Sequence, residues 1–497
     1  VAASYAEIAG GAGSSGTLII DGAGAELFFD PQGKSANLNM GRGGHAVVVI
    51  SNGGAIRMFS DTDLGGAPGP SSAGINVGRE GVDTIGELTL DAGTVDIDHL
   101  GGAYVKVGRN DAHGTMTVQN GSSVTLAATK AGAFAYLSVG SHSAGNSYGD
   151  LSVDASDVTL SSGAFRAYLN VGQSTDSIGS ASFDHGATLS LTSGERAAIR
   201  VGEGDGAFGT LTFGGGSTAT LNSAKSFIDV GSTAGSIGVL RIIDGSKITL
   251  TSDDPNDSDA FIGSAFSDFG GRAVGGNGVL LVSGSGSALS LTDNLVVGAL
   301  GGESTGRLTV ASGGKVTAET VWIGVGGRLD GNGGLVLADL TVDGGLLAPG
   351  ASLGEMTIGG DLNLRLGGML ELEVDGAGIG EFDVLKITGA VDLGGGTATF
   401  VFDQSFYDGV KADFSMMPLL SSFFPWQDPA ALSMFGFMGT VDGETNVSLS
   451  FNILGELSGI SGVTAVPLPA AMSSLLMGLG ALIALRRRTS GRVPLGA

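Results

Sequence analysis

One four-residue step, apolar-x-apolar-Gly, returns nine times along this chain at almost a single interval. It reads Ile75-Asn76-Val77-Gly78, Val105-Lys106-Val107-Gly108 and Leu137-Ser138-Val139-Gly140, and comes back at 169–172, 199–202, 228–231, 260–263, 295–298 and 321–324. Successive glycines lie 30, 32, 32, 30, 29, 32, 35 and 26 residues apart, the mark of a repeat array. Each interval holds two more apolar-x-apolar steps, such as Leu88-x-Leu90 then Val95-x-Ile97, and Met116-x-Val118 then Val124-x-Leu126. Two-residue alternation sets both apolar side chains of a step on one face of a strand. Gly, Asn, Asp and Ser fill the gaps, residues that accept tight turns and positive φ. Each unit therefore reads as three short strands separated by bends, one turn of a triangular coil.

A single coil cannot bury its inward side chains, but stacked coils can, with parallel pairing and continuous columns of Val, Ile and Leu. The expected fold class is all-β: a β-solenoid, specifically a right-handed parallel β-helix with ~30-residue coils, plus a C-terminal transmembrane helix. The hand follows from the general rule for parallel connections. Residues 17–402 would give about 13–15 coils at roughly 4.8 Å each, a rod on the order of 65 Å long. The expected divisions are 1–60, irregular N-terminal coils; 61–325, the ~30-residue repeats; 326–402, coils of altered period; 403–460; and 461–497. The stretch 403–460 is Phe-rich, with Met416, Met417, Pro418, Pro425 and Trp426. It reads as a cap over the last coil, since an open solenoid end exposes strand edges. A partner-binding surface is the alternative.

Composition removes several function classes. The chain has 497 residues, 91 of them Gly, without the every-third-residue Gly of collagen. It has no Cys, so disulfides, thiolate metal sites and a Cys nucleophile are excluded. A net charge of −25 argues against nucleic acid as a partner. All 49 acids precede Val466, where 20 cations leave the body at −29, while four arginines give the tail +4.

Two segments resemble known families. The stretch 346–362, reading Leu-Leu-Ala-Pro-Gly-Ala-Ser-Leu-Gly-Glu-Met-Thr-Ile-Gly-Gly-Asp-Leu, resembles a segment of autotransporter passengers and related secreted β-helix proteins. That resemblance implies architecture more than activity. At the end, Val466-Pro467-Leu468-Pro469-Ala470 precedes an apolar run to Leu485 and then Arg486-Arg487-Arg488. The uncharged run from Val466 to Leu485 is 20 residues, the length of a membrane-spanning helix, although two prolines fall in its first turn. By the positive-inside rule the arginines stay in the cytoplasm. A plain tail anchor accounts for the run and the arginines but not for the five-residue motif. Together the three parts resemble the VPLPA-type relative of the PEP-CTERM sorting signal of Gram-negative bacteria. The resemblance implies an exosortase-type processing enzyme as partner, a transient inner-membrane intermediate, and delivery to the cell surface or extracellular matrix. The recognition positions would be Val466, Pro467, Leu468, Pro469 and Ala470, and the stop-transfer residues Arg486, Arg487 and Arg488. An autotransporter with its own membrane barrel is not expected, because no alternating strands close the chain.

Two readings of function follow. The first is an exported, non-enzymatic surface or matrix protein, adhesin-like and associated with biofilm or exopolysaccharide, with no catalytic residues, no metal site and no cofactor. The alternative is a polysaccharide lyase or hydrolase on the same scaffold. Its candidate acids are Asp91, Asp154, Asp184 and Asp244, each just after a middle strand, where stacked coils could bring two carboxylates together. Turn chemistry explains the same residues, and Gly214 interrupts the row. The loop 252–259 carries four Asp and could offer oxygen ligands to Ca²⁺; a solvated acidic loop is the simpler account.

Overall fold

The computed structural model describes residues 4–31, 35–60, 71–141, 146–253, 257–265, 273–298, 304–350, 352–441 and 447–462. Within it the repeated steps lie in one register. Gly102–Arg109 pairs in parallel with Ser72–Glu80 on one side and Phe134–Ser141 on the other, so that Val105 faces Ile75 and Leu137. The ladder runs on through Arg166–Val171, Arg196–Val201, Lys225–Val230 and Ser258–Ile262. A second parallel ladder holds Ile85–Asp91, His113–Gln119, Tyr148–Asp154 and Ile178–Asp184. A third holds Thr94–His99, Ser123–Ala128, Asp157–Ser162 and Thr188–Ser193. Each coil contributes one strand to each ladder, which makes the protein an all-β, largely parallel β-solenoid.

Inward positions stack into columns. Val105, Leu137, Leu169, Ile199 and Ile228 are all fully buried, and full burial of one such side chain stabilises by about 1.5–3 kcal/mol. The glycine that ends each step makes the corner into the second ladder. At Gly108 φ is +70°, and a Cβ would stand 1.8 Å from the Tyr148 carbonyl oxygen of the next coil. Side chains are therefore excluded there twice, by backbone conformation and by the closeness of neighbouring coils.

The coil changes where the glycine spacing shortens. Lys315–Ile323 and Gly334–Val342 are single long strands serving both the third and the first ladder, with a register shift between Thr317 and Thr320. Losing one bend removes residues from the turn, which accounts for the 26-residue interval. Further on, the buried Asp383 carboxylate accepts the N–H groups of Gly354 and Glu373 at 2.7 and 2.8 Å, fastening the backbone at Gly354 to the coil beyond it. After Thr397–Phe402 the chain forms the helix Gln404–Ala412, whose first turn is capped by Asp403. Phe437–Val441 then adds one more parallel strand, and Val447–Phe451 and Leu457–Gly462 follow it antiparallel. Phe400 meets Phe423, Phe437 and Phe451 at centroid distances of 4.7, 5.5 and 6.0 Å, so aromatic packing takes over where the repeat stops.

The expected C-terminal transmembrane helix is corrected. No helix among the described residues is long and apolar enough to cross a membrane. The segment itself lies outside the described residues.

Candidate functional site

The x residue of the repeated step and the residue just before the step point outward, and stacking turns them into columns about 4.8 Å per rung. One column on the first ladder runs Asn37, Gly74, Tyr104, Tyr136, Tyr168, Ala198, Phe227. Its neighbour, two residues on, runs Asn39, Asn76, Lys106, Ser138, Asn170, Arg200, Asp229. The Tyr104 and Tyr136 rings stack at 5.5 Å and 10°. Tyr104 lies over Gly74, where a Cβ would come within 2.5 Å of the ring. An absent side chain on one coil thus seats the aromatic ring of the next.

Cations interleave with these rings. Lys106 Nζ sits 5.2 and 5.3 Å from the Tyr104 and Tyr136 centroids, and the Arg200 guanidinium 4.3 and 5.2 Å from those of Tyr168 and Phe227, within cation–π range. Of the ten Lys and Arg from Arg42 to Lys225, only Arg57 and Lys130 lie off this face and its edges. For a chain of net charge −25, that is a strong segregation of positive charge. Arg42 pairs with Glu80, Arg166 with Glu195, Arg200 with Glu203 and Lys225 with Asp257. Lys106, Arg79 and Arg109 join no ion pair among the described residues.

Two clefts open on this face. The larger, about 560 Å³, is lined by Lys106, Phe134, Tyr136, Ser141, Phe165, Arg166, Tyr168, Asn170, Gln173 and Ser174. Four buried polar atoms at its wall, Ser141 Oγ, Arg166 Nε, Tyr168 Oη and Asn170 Oδ1, make no hydrogen bond. The smaller, about 350 Å³, is lined by Tyr5, Asn37, Asn39, Arg42, Asn76, Arg79, Tyr104 and Arg109. There Asn76 Nδ2 donates to Asn39 Oδ1 at 2.8 Å, Tyr104 donates to Asn37, and Arg109 Nε is buried without a partner. Burial, then the Arg109 charge, pull the Lys106 ammonium down to about 8. Burial raises the Tyr104, Tyr136 and Tyr168 hydroxyls above the ordinary phenol value.

The acids singled out from the sequence lie elsewhere. Asp154 and Asp184 are register neighbours on the second ladder, Asp91 faces Gln119, and Asp244 sits in a turn with φ +53°. His185 Nδ1 lies 2.6 Å from Asp154 Oδ1; that hydrogen bond, then the Asp154 and Asp184 charges, raises the His185 imidazole above its usual range. None of the four acids lines either cleft. In the 252–259 loop, Asp257 is held by Lys225, residues 254–256 lie outside the described residues, and no group of three or more potential metal ligands gathers among the described residues. Val466, Pro467, Leu468, Pro469, Ala470 and Arg486, Arg487, Arg488 also lie outside them. The cleft residues themselves were readable as spacers only. Their signal is an offset: Tyr104, Tyr136, Tyr168 and Phe227 each stand four positions before a corner glycine.

No family model matches this chain, and no curated protein does. The VPLPA-type sorting signal and its exosortase partner therefore rest on the likeness of their residues alone, and those residues lie outside the described ones. Among solved structures, the crystal structure of the TibC-catalysed hyper-glycosylated TibA 55–350 fragment aligns at 18% identity, covering 81% of this chain and 98% of that one, with a TM-score of 0.27. That superposition is too loose to bear on function.

Proposed function

We propose that this solenoid engages an acidic polysaccharide along the aromatic and cationic face, outside the cytoplasm. The observation that carries the reading is the larger cleft, where tyrosine rings flank four buried polar atoms that lack partners. Sugar rings offer apolar faces to aromatic side chains and hydroxyls to orphaned polar atoms, each of which costs about 1–3 kcal/mol while unmet. The concentration of cations on this one face favours an acidic polymer over a neutral one.

A bound polymer can be held or cut. Lys106 favours cutting: a lysine that merely attracts anions stays fully charged, whereas one lowered to about 8 can accept a proton. Polysaccharide processing therefore ranks ahead of a purely structural rod. The test is affinity electrophoresis of the full chain through gels containing polygalacturonate or a neutral glucan. Retardation is expected with the polyuronate. Tyr136→Ala and Tyr168→Ala should each weaken it about five- to tenfold, for about 1–1.4 kcal/mol of lost ring contact. Unchanged binding by both variants would remove the reading.

A further inference from the structure

We propose that the reaction on this face is β-elimination of a uronate polymer, with Lys106 as the catalytic base and Arg79 and Arg109 holding the uronate carboxylate. The inference deepens the polysaccharide reading and rests on it. It starts from the donor set. Hydrolysis of a glycosidic bond ordinarily uses two carboxylates flanking the bond, and no Asp or Glu lines either cleft. Elimination asks for something different: a base near the proton α to a carboxylate, and cations to stabilise the charge that builds when that proton leaves.

Those groups lie on neighbouring coils, the base in one cleft and the two arginines in the other. The strand Gly102–Arg109 carries residues of both clefts, with Tyr104 and Arg109 lining the smaller and Lys106 the larger. Arg79 and Arg109 follow the register partners Val77 and Val107 by two residues each, so they stand on neighbouring coils. Neither is neutralised by a described carboxylate, and Arg109 Nε is buried with no partner. Lys106 lies over the Tyr104 and Tyr136 rings. Facing it are Tyr104 and Arg109 on its own strand, Asn76 and Arg79 on the preceding coil, and Tyr136 and Ser138 on the following one. None of these is an acid that would hold the ammonium charged. Burial and Arg109 leave its pKa at about 8, so a substantial share is neutral amine in mildly alkaline solution.

The chemistry balances. The uronate carboxylate lies against the two guanidiniums in charge-assisted hydrogen bonds. The neutral Lys106 Nζ takes the C5 proton, and the C–H electron pair becomes the C4=C5 double bond. The C4–O bond breaks with its pair on the leaving oxygen, which takes back the proton from the Lys106 ammonium. One fragment gains an unsaturated uronate end and the other leaves with an anomeric hydroxyl, a new reducing end; neither water nor an oxidant is consumed.

The experiment incubates the full chain with polygalacturonate. It follows the near-ultraviolet absorbance of the unsaturated product, the count of reducing ends, and binding by affinity electrophoresis. The wild type should release unsaturated product, with kcat/KM rising as pH passes through about 8. Lys106→Ala should lower kcat by about 10²–10⁴-fold with binding retained, the usual share of a general base. Lys106→Arg keeps the charge over the tyrosine rings and should be equally inactive, because a guanidinium does not deprotonate. Arg79→Ala should raise KM and lower kcat together. Binding without unsaturated product overturns elimination while sparing the polysaccharide reading, and so do new reducing ends without unsaturation or full activity in Lys106→Ala. Failure to bind the polyuronate at all overturns both.

Discussion

Removing both arginines around Asp330 should destabilise the rod far more than removing Asp330 itself. The carboxylate is fully buried, while the Arg307 and Arg328 side chains are 50% and 38% exposed. It accepts from Arg307 Nε at 2.9 Å, Arg328 Nε at 2.7 Å and Thr309 Oγ1 at 2.6 Å. Arg307→Ala or Arg328→Ala leaves one guanidinium and the hydroxyl in place, for an expected cost of about 1–2 kcal/mol each. The double variant leaves a carboxylate beyond the reach of water with only a hydroxyl beside it. Breaking a buried ion pair from that side costs about 3–5 kcal/mol. Asp330→Ala strands nothing buried, because both guanidiniums can turn outward, and about 1–2 kcal/mol is expected. A global melt would blur the effect, since repeat arrays lose cooperativity. Hydrogen exchange across Thr305–Ala311 and Gly327–Gly331 reads the local opening free energy instead. A double variant no worse than either single one, or an Asp330→Ala as damaging as the double, would refute the reasoning.

Two further predictions concern the coil itself. Gly108→Ala must place a Cβ 1.8 Å from a carbonyl oxygen at φ +70° and should open that corner, whereas Gly121→Ala, at φ +73° with open space around it, should cost only the about 1–2 kcal/mol of the left-handed backbone; urea titrations of the two variants compare them. Burial raises the Asp383 carboxyl to about 7. Its folded pKa lies above the unfolded one, so its stabilising contribution is complete below about pH 4 and is lost as pH rises through about 7. Hydrogen exchange across Glu355–Ile358 and Met369–Val374 should therefore slow between pH 8 and pH 5, after correction for intrinsic rates. Asp383→Asn should flatten that trend and leave one of the two N–H donors unmatched, at about 1–3 kcal/mol.

The ladder architecture was legible because inward positions obey a strict alphabet. Val105, Leu137 and Leu169 can only be apolar, and Gly108 can only be glycine, so both recur visibly. Ala36–Arg42 shows where the pattern fades: Leu38-Asn39-Met40-Gly41 is another copy of the step, in register with Ile75–Val77, with Gly41 at φ +66°. It lies 37 residues before Gly78, so a search for a ~30-residue interval passes over it. The cleft was not legible for the opposite reason. Packing does not fix the type of an outward residue, so Lys106, Ser138 and Asn170, three successive rungs of one column, share no residue type. The acids Asp91, Asp154, Asp184 and Asp244 drew attention by recurring, yet recurrence at a bend follows from turn chemistry alone. Asp330 and Asp383 recur nowhere, and their burial depends on coils more than 20 residues away.

Stacking also bounds the face. A solenoid copies any strand position into a column, so outward chemistry extends only as far as successive coils keep it. The Lys106–Asn170–Arg200 column turns apolar at Phe261, Val296 and Trp322, which pack on one another. Beside it the aromatic column ends at Asp259 opposite Phe227, next to the buried Asp293, which is pushed up to about 7 by burial and by the Asp259 charge. An anionic polymer lying over Arg79, Lys106 and Arg200 would meet carboxylates and a dry apolar patch if it continued past Phe227. Those rungs set a physical end to the proposed binding face, so the length of polymer protected by the rod should match the coils from Ala36–Arg42 to Lys225–Val230 and no more.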